Sequence, residues 1–200
     1  MTAEPTTARQ QGARSRSQHH RRKRIVQAAA ALASRGGVEA MQMRAVAERA
    51  GVALGTLYRY FPSKMDLVVA VVGEELDLLE GSLRRRPPRA TTPPRRAVEV
   101  LMRATRGLMR EPELADAVIR SLLLSDVTTD FGERMTGLLL RAAANADSGD
   151  APAGSERKIL VGALSSVWVM EMIEMLRGHA TNEEIQDRLE VAADRLLGAI

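Results

Sequence analysis

The sequence predicts an all-α protein: a small three-helix head at the N-terminal end and a larger helical body behind it, about nine helices in all. Three observations lead there. Only five of the 200 residues are aromatic, so the core must be Leu, Val, Ala, Ile and Met, a palette that favours helices over sheets. Apolar residues recur at three- and four-residue spacing from about Gln18 onward, and no stretch reads as a strand. Residues 51–64, Gly-Val-Ala-Leu-Gly-Thr-Leu-Tyr-Arg-Tyr-Phe-Pro-Ser-Lys, hold three of the five aromatics (Tyr58, Tyr60, Phe61). Their order of glycine turn, short helix, proline stop and new helix is the grammar of a helix-turn-helix.

In chain order, residues 1–17 are rich in Thr, Arg, Ser and Gln without apolar periodicity and are expected to form a disordered basic arm. Arg14, Arg16, Arg21, Arg22 and Arg24 are placed to lie along phosphates or enter a minor groove. Before Gln18 a merely solvating tail is an equal reading. His19 and His20 have no partner at metal-ligand spacing, so no metal is expected. The first helix is predicted over about Gln18–Arg35, with Ile25, Ala28, Ala29, Leu32 and Ala33 buried, and Gly36-Gly37 ends it. The second runs from about Arg44 to Ala50 and stops at Gly51. The third lies within Val52–Phe61, because Pro62 pushes the residue before it out of the α region. Val46, Ala47, Leu57 and Phe61 can make the small core between these two.

The remaining head residues are candidates for DNA contact. Thr56, Tyr58, Arg59 and Tyr60 are left largely outward, with Leu54 and Gly55 at the start of the short helix; the competing reading of Tyr58 and Tyr60 is as half-buried core tyrosines. Tyrosine hydroxyls and Lys64 can bond phosphate oxygens, and Arg59 can fork onto a guanine edge. Gly55 allows close backbone approach. The head is taken as residues 18–64 and the body as 65–200.

Ser63 caps the fourth helix, with Asp66 at capping-box spacing. That helix runs to about Leu83 and buries Leu67, Val68, Val71, Val72, Leu76 and Leu79. Arg84-Arg85-Arg86-Pro87-Pro88 breaks it, and this arginine triplet reads as a solvated loop. Further helices are expected over about Arg95–Arg110, Pro112–Leu124, Asp126–Ala146, Ser155–Arg177 and Thr181–Gly198, the last with a Thr181/Glu184 capping box. A plain loop fills 147–154. The helix at 155–177 is apolar almost all round from Ile159 to Ile173, so it must be buried on more than one side. Paired with the stripe at Ile185, Leu189, Ala192, Ala193, Leu196 and Ile200, it suggests a two-fold four-helix interface with Leu164, Val167, Ile185, Leu189 and Leu196 in the seam.

Charge and composition narrow the function. Residues 1–64 carry 12 Lys/Arg against 3 Asp/Glu, and residues 65–200 carry 17 against 22. A +9 head on a −5 body suits a protein that binds nucleic acid at one end. There is no cysteine, hence no disulfide or thiolate site, which fits a reducing cytoplasm. No uninterrupted run of about 18 apolar residues predicts a membrane span, and the basic N-terminus lacks the apolar core of a secretory signal. Ser165-Ser166 has no histidine at triad spacing, and Glu171 and Glu174 read as a helix's polar edge. Phosphate-loop and HExxH motifs are missing, so no enzyme and no cofactor are expected.

The stretch over about 21–72 closely resembles the DNA-binding signature of the TetR family of one-component repressors. The resemblance rests on Arg21-Arg22-Lys23-Arg24-Ile25, the Gly36-Gly37 turn, Met43-Arg44-Ala45-Val46-Ala47, Gly51-Val52-Ala53 and Gly55 to Lys64. Within the family, residues 36–47 are most similar to the steroid-responsive repressors of cholesterol catabolism. Weaker similarity continues at Arg110-Glu111-Pro112 and Val167-Trp168. One departure stands out. Many members have threonine at the start of the second helix to touch phosphate; here Gln42-Met43-Arg44 stands instead, which passes that contact to Arg44 or a backbone N–H. The resemblance implies a homodimer on a palindromic double-stranded operator, released by a small effector.

In the body, Met102, Thr105, Leu108, Met109, Ile119, Leu122, Leu123, Met135, Leu138, Leu139, Trp168 and Met172 are the candidate lining of an apolar cavity. Met and Leu at such helical spacing are more often core than pocket, and Trp168 could equally anchor an interface. The resemblance implies a sterol-derived or acyl-CoA effector controlling lipid or steroid catabolism. Arg103, Arg106, Arg110, Arg120, Arg134 and Arg141 would then hold its anionic end, or else pair on the surface with Glu99, Glu113 or Asp116. The competing expectations are a regulator of efflux or another pathway with a different hydrophobic ligand, and a DNA-binding protein without an effector.

Overall fold

The computed structural model describes residues 6–124, 130–144 and 154–198, and among these the regular structure is nine α-helices. They are α1 (Thr6–Ala40), α2 (Met43–Ala50), α3 (Leu54–Tyr60), α4 (Lys64–Arg85), α5 (Pro93–Leu108), α6 (Pro112–Leu124), α7 (Phe131–Ala143), α8 (Ser155–Leu176) and α9 (Asn182–Leu197). The all-α prediction therefore holds.

The head closes as its residue pattern dictates. Ile25, Ala29 and Ala33 of α1 meet Val46 and Ala47 of α2 and Leu57 of α3, all at most 3% exposed, and Phe61 seals the end. The α2–α3 turn works because Gly51 takes a left-handed conformation (φ 64°, ψ 44°) while its N–H caps the carbonyls of Ala47 and Glu48. A side chain there would be strained. The capping box at Ser63 forms: the Asp66 N–H donates to Ser63 Oγ (3.1 Å) and the Ser63 N–H to Asp66 Oδ2 (2.9 Å). Its counterpart forms at Thr181 and Glu184.

One expectation at the N-terminus fails. From Thr6 the arm expected to be disordered is helical and continuous with α1. Thr6–Ser17 contains no proline and several residues that tolerate helix well (Ala8, Arg9, Gln10, Gln11, Ala13, Arg14, Arg16), so it can extend a helix already nucleated by packing. Residues 1–5 lie outside the described residues, as do 126–129 and 145–146 of the expected seventh helix, most of the 147–154 loop, and Ile200.

α4 joins head and body. The six apolar residues predicted to be buried on it are the six that are buried. It packs on α1 in the head and on α5, α6 and α7 in the body. α1 also lies along α6, so the head is held to the body by two helices rather than by one linker. Polar ties reinforce this junction: Lys23 Nζ lies 3.8 Å from Glu74, and the Ser34 hydroxyl donates to Glu111 at the start of α6. Arg134 of α7 grips α4 through Asp77 (2.6 Å) and Glu80 (3.2 Å). Behind them α5 packs between α7 and α9, and α8 against α6, α7 and α9.

Candidate nucleic-acid interface and ligand cavity

The short helix α3 fully buries one residue, Leu57. Leu54, Gly55, Tyr58 and Arg59 are exposed and Thr56 is half-buried. Arg59 Nη2 lies 3.4 Å from Thr56 Oγ1, which holds the guanidinium along the helix face. A Cβ at Gly55 would meet nothing within 4 Å, so that backbone is open to a close approach. Tyr60 departs from the expectation: it is half-buried and packs against the core, because it sits at the turn where Phe61 folds inward.

Three further cations flank this helix. Arg22 of α1 stands 5.2 Å over the Phe61 ring, a cation–π contact that holds its charge beside the C-terminal end of α3. Lys64 opens α4 immediately after the Pro62-Ser63 stop. Arg44 projects from the first turn of α2, 86% exposed, with only a 3.8 Å contact to Glu48 one turn on. Such a surface pair is worth little and leaves Arg44 free to exchange its carboxylate for a phosphate. Gln42 makes no side-chain cap to α2, so the first N–H groups of that helix lack one. Six of the nine predicted head residues thus lie on α3 itself, Arg22 and Lys64 stand at its C-terminal end, and Arg44 stands exposed on the first turn of α2.

A cavity of 870 Å³ lies at the junction of head and body. Its floor is apolar: Leu79 from α4, Ile119 and Leu122 from α6, Phe131 and Met135 from α7, and Trp168 from α8. The Trp168 and Phe131 rings stack at 6.3 Å, making a flat aromatic wall. The rim is charged. Arg35 and Arg49 reach it from the head and Arg85, Arg106 and Arg110 from the body. None of these five makes a side-chain ion pair with a described residue.

Five of the twelve predicted lining residues face this cavity: Leu108, Ile119, Leu122, Met135 and Trp168. The others do not. Met102, Leu138, Leu139 and Met172 are buried in the interhelical core, where helical spacing alone could not separate them from lining. Met109 is half-buried beyond the end of α5, and Leu123 is 49% exposed. Thr105 is fully buried and spent: Trp168 Nε1 donates to its Oγ1 at 2.9 Å, and its own hydroxyl donates to the Leu101 carbonyl at 3.0 Å. Missed entirely were the contributions of α1 (Gln27, Ala30, Ser34) and of α4 (Val72, Glu75). The signal for the α4 wall was present: Glu75 interrupts an otherwise apolar stripe on a helix that bridges two domains.

Of the arginines expected to bind an anion, Arg103 lines the cavity but is held by Glu99 (3.3 Å) and the Arg86 carbonyl. Arg120 pairs with Asp116 (2.7 Å), as the alternative reading had it, whereas Arg134 pairs with Asp77 and Glu80 of α4, partners neither reading named. Arg141 is exposed and does not line the cavity.

The seam residues also need correction. Leu164, Ile185 and Leu189 are fully buried within one protomer, and only Val167 and Leu196 reach the border of the outer face. α8 turns its Trp168 side inward and leaves Ile159 (69% exposed) and Met170 (57%) outward, and Val191 of α9 is likewise exposed (64%). With a mean hydropathy of 1.7 over 18 residues, α8 would suit a membrane by composition alone. Its inner face, however, is packed by Val161, Leu164, Trp168 and Met172.

Comparison with known proteins agrees with this architecture. Residues 25–71 match the family model of bacterial regulatory proteins, tetR family, and residues 90–196 match a Tetracyclin repressor-like C-terminal domain. The chain is 36% identical over 189 residues to the HTH-type transcriptional repressor KstR of Rhodococcus jostii, covering 92% of this chain and 86% of that one. It is 35% identical to KstR of Mycobacterium tuberculosis, covering 92% and 84%. Among solved structures, a TetR transcriptional regulator from Rhodococcus sp. RHA1 superposes with a TM-score of 0.77 at 32% identity, covering 92% of this chain and 99% of that one. The multidrug binding protein EbrR complexed with ethidium shares the fold (TM-score 0.59, 24% identity, covering 88% and 98%). The chain therefore belongs to the TetR family of bacterial regulatory proteins, and is a DNA-binding transcriptional repressor rather than an enzyme.

Proposed function

We propose that this repressor is cytoplasmic, binds a palindromic operator as a homodimer and is released by an apolar effector with an anionic end, a sterol-derived or acyl-CoA molecule, so controlling lipid or steroid catabolism. The observation that carries the effector is the shape and charge of the cavity: an aromatic and aliphatic floor under a rim of five arginines without ion partners among the described residues. Its 870 Å³ falls within the ~300–1,000 Å³ of small-molecule sites. Unpaired arginines around an apolar hole suit a ligand whose ring or chain enters and whose phosphates stay outside. The likeness of the head to steroid-responsive repressors, and similarity to KstR proteins along 92% of the chain, point the same way.

The dimer is assigned to the outer face of α8 and α9, where Ile159, Met170 and Val191 stand exposed. Burying them against a second copy removes apolar surface that a free monomer would leave in water. Release then follows from position. The cavity touches α1 and α4, the two helices that fix the head on the body, so a ligand that prefers one head angle shifts the spacing of the two α3 helices.

The test is a thermal-shift panel of sterols, sterol acyl-CoAs, fatty acyl-CoAs and free CoA, followed by operator release. Steroid or acyl thioesters should raise Tm with concentration and free the DNA. If only small polar compounds or hydrophobic cations do both, the effector assignment is wrong and the repressor remains.

A further inference from the structure

Glu75 lies on the cavity side of α4, one turn from Val72 and from Leu79 and beside Leu76, all of which line the same wall. It is the one acidic side chain of this neighbourhood with nothing to do. Glu74 faces Lys23, Glu111 accepts from Ser34, and Asp77 and Glu80 are gripped by Arg134. Glu75 is half-buried, and its carboxyl makes no hydrogen bond or ion pair with any described residue. Half-buried in the wall and bonded to no described side chain, the carboxyl still touches the open space of the cavity, where a ligand atom can reach it.

We infer that Glu75 determines the cavity's specificity by donating a hydrogen bond from its carboxyl to a neutral oxygen, hydroxyl or keto, on the apolar body of the effector. This rests on reading the cavity as the effector site. The charges around Glu75 favour the neutral, donating form. Burial comes first, then Glu111 and Glu74, and together they push its pKa above the ordinary carboxylate value. The cations nearby do not reverse this. Arg35 and Arg49 from the head and Arg85, Arg106 and Arg110 from the body line the rim, Arg103 is taken by Glu99, Lys23 by Glu74, and Arg134 serves the opposite side of α4. The same negative neighbourhood repels an anionic ligand end, so it fixes orientation as well: oxygen-bearing body toward α4, phosphates toward the rim arginines.

The experiment uses the full chain and two probes of one shape, cholesterol and its oxygen-free parent cholestane, with dissociation constants measured from pH 5 to pH 8.5. In the wild type, cholesterol should bind roughly three- to tenfold tighter than cholestane at low pH, the range of one neutral hydrogen bond. That advantage should shrink as Glu75 ionises. Glu75→Gln, which donates at every pH, should keep the advantage throughout. Glu75→Leu should bind both steroids alike. A cholesterol advantage that is pH-independent in the wild type and survives in Glu75→Leu would overturn the role of Glu75 and leave the cavity assignment intact. Failure of the wild type to bind either steroid at any pH would overturn the role of Glu75; the absence of any thermal shift with sterol acyl-CoAs as well would remove the cavity reading. The Gln variant is isosteric and the wild-type pH profile needs no variant, so the inference is testable even if Glu75→Leu does not fold.

Discussion

Replacing Thr105 by valine should destabilise the body through a single stranded N–H. Thr105 and Trp168 are 0% and 1% exposed, and the indole Nε1 donates to Thr105 Oγ1 at 2.9 Å. Valine keeps the shape and removes the acceptor. The bond from the Thr105 hydroxyl to Leu101 is also lost, but that carbonyl lies inside α5, where the backbone ladder serves it. What remains is a buried donor with no partner, a penalty of about 1–3 kcal/mol. For a chain of this length a loss of ~2 kcal/mol lowers Tm by about 4–8 °C. The assay is thermal unfolding at fixed protein concentration, since a dimer's Tm depends on it. Trp168→Phe removes the donor, so adding Thr105→Val to that background should cost much less, a coupling of about 1 kcal/mol or more in a double-mutant cycle. Additive losses, or an unchanged Tm in Thr105→Val alone, would refute the reasoning. Because the indole N–H is already engaged, steroid affinity in the variant should be preserved when measured well below its Tm.

Three further expectations follow from the same geometry. Arg59→Ala should cost about 1–3 kcal/mol of operator affinity and relax specificity, whereas Lys64→Ala should weaken all sequences alike and flatten the salt dependence; gel-shift titrations at two salt concentrations decide between them. Met170→Glu with Val191→Glu should give a folded monomer by sedimentation and circular dichroism, while Leu189→Glu, which buries an unpaired charge inside the protomer, should lose helicity. Glu75→Gln should gain stability relative to wild type at pH 8 and not at pH 4. The raised pKa means the folded state holds its proton where the unfolded chain has lost it, so wild-type stability falls as pH rises through that window; equal denaturant midpoints at pH 8 would contradict this.

The head was legible because its signals are local. Gly51, Pro62 and the Ser63/Asp66 spacing each act on one turn, and the buried set Val46, Ala47, Leu57 and Phe61 lies on the inward faces of two short adjacent helices. α4 was equally readable, since its apolar stripe has one side. α8 was not. With apolar residues on nearly every face, its sequence cannot say which side meets its own body, and Leu164 was placed in the seam when it lies in the core. The cavity was the least readable feature. It forms where α1 and α4 of the head-side structure approach α6 and α7, and its polar lining (Ser34, Arg35, Glu75, Glu111) looks in sequence like ordinary solvent-facing residues. Only tertiary packing brings those side chains to one cavity.

The most direct test is operator affinity measured with and without effector. DNA protection across the protein's own gene neighbourhood would locate the operator, and fluorescence anisotropy on that fragment would give the dissociation constant with increasing steroid acyl-CoA. The account predicts a dimer protecting two half-sites about 34–36 Å apart or multiples of that distance, with affinity falling at least tenfold as the ligand saturates its thermal shift. Operator affinity that stays unchanged at saturating ligand would contradict it.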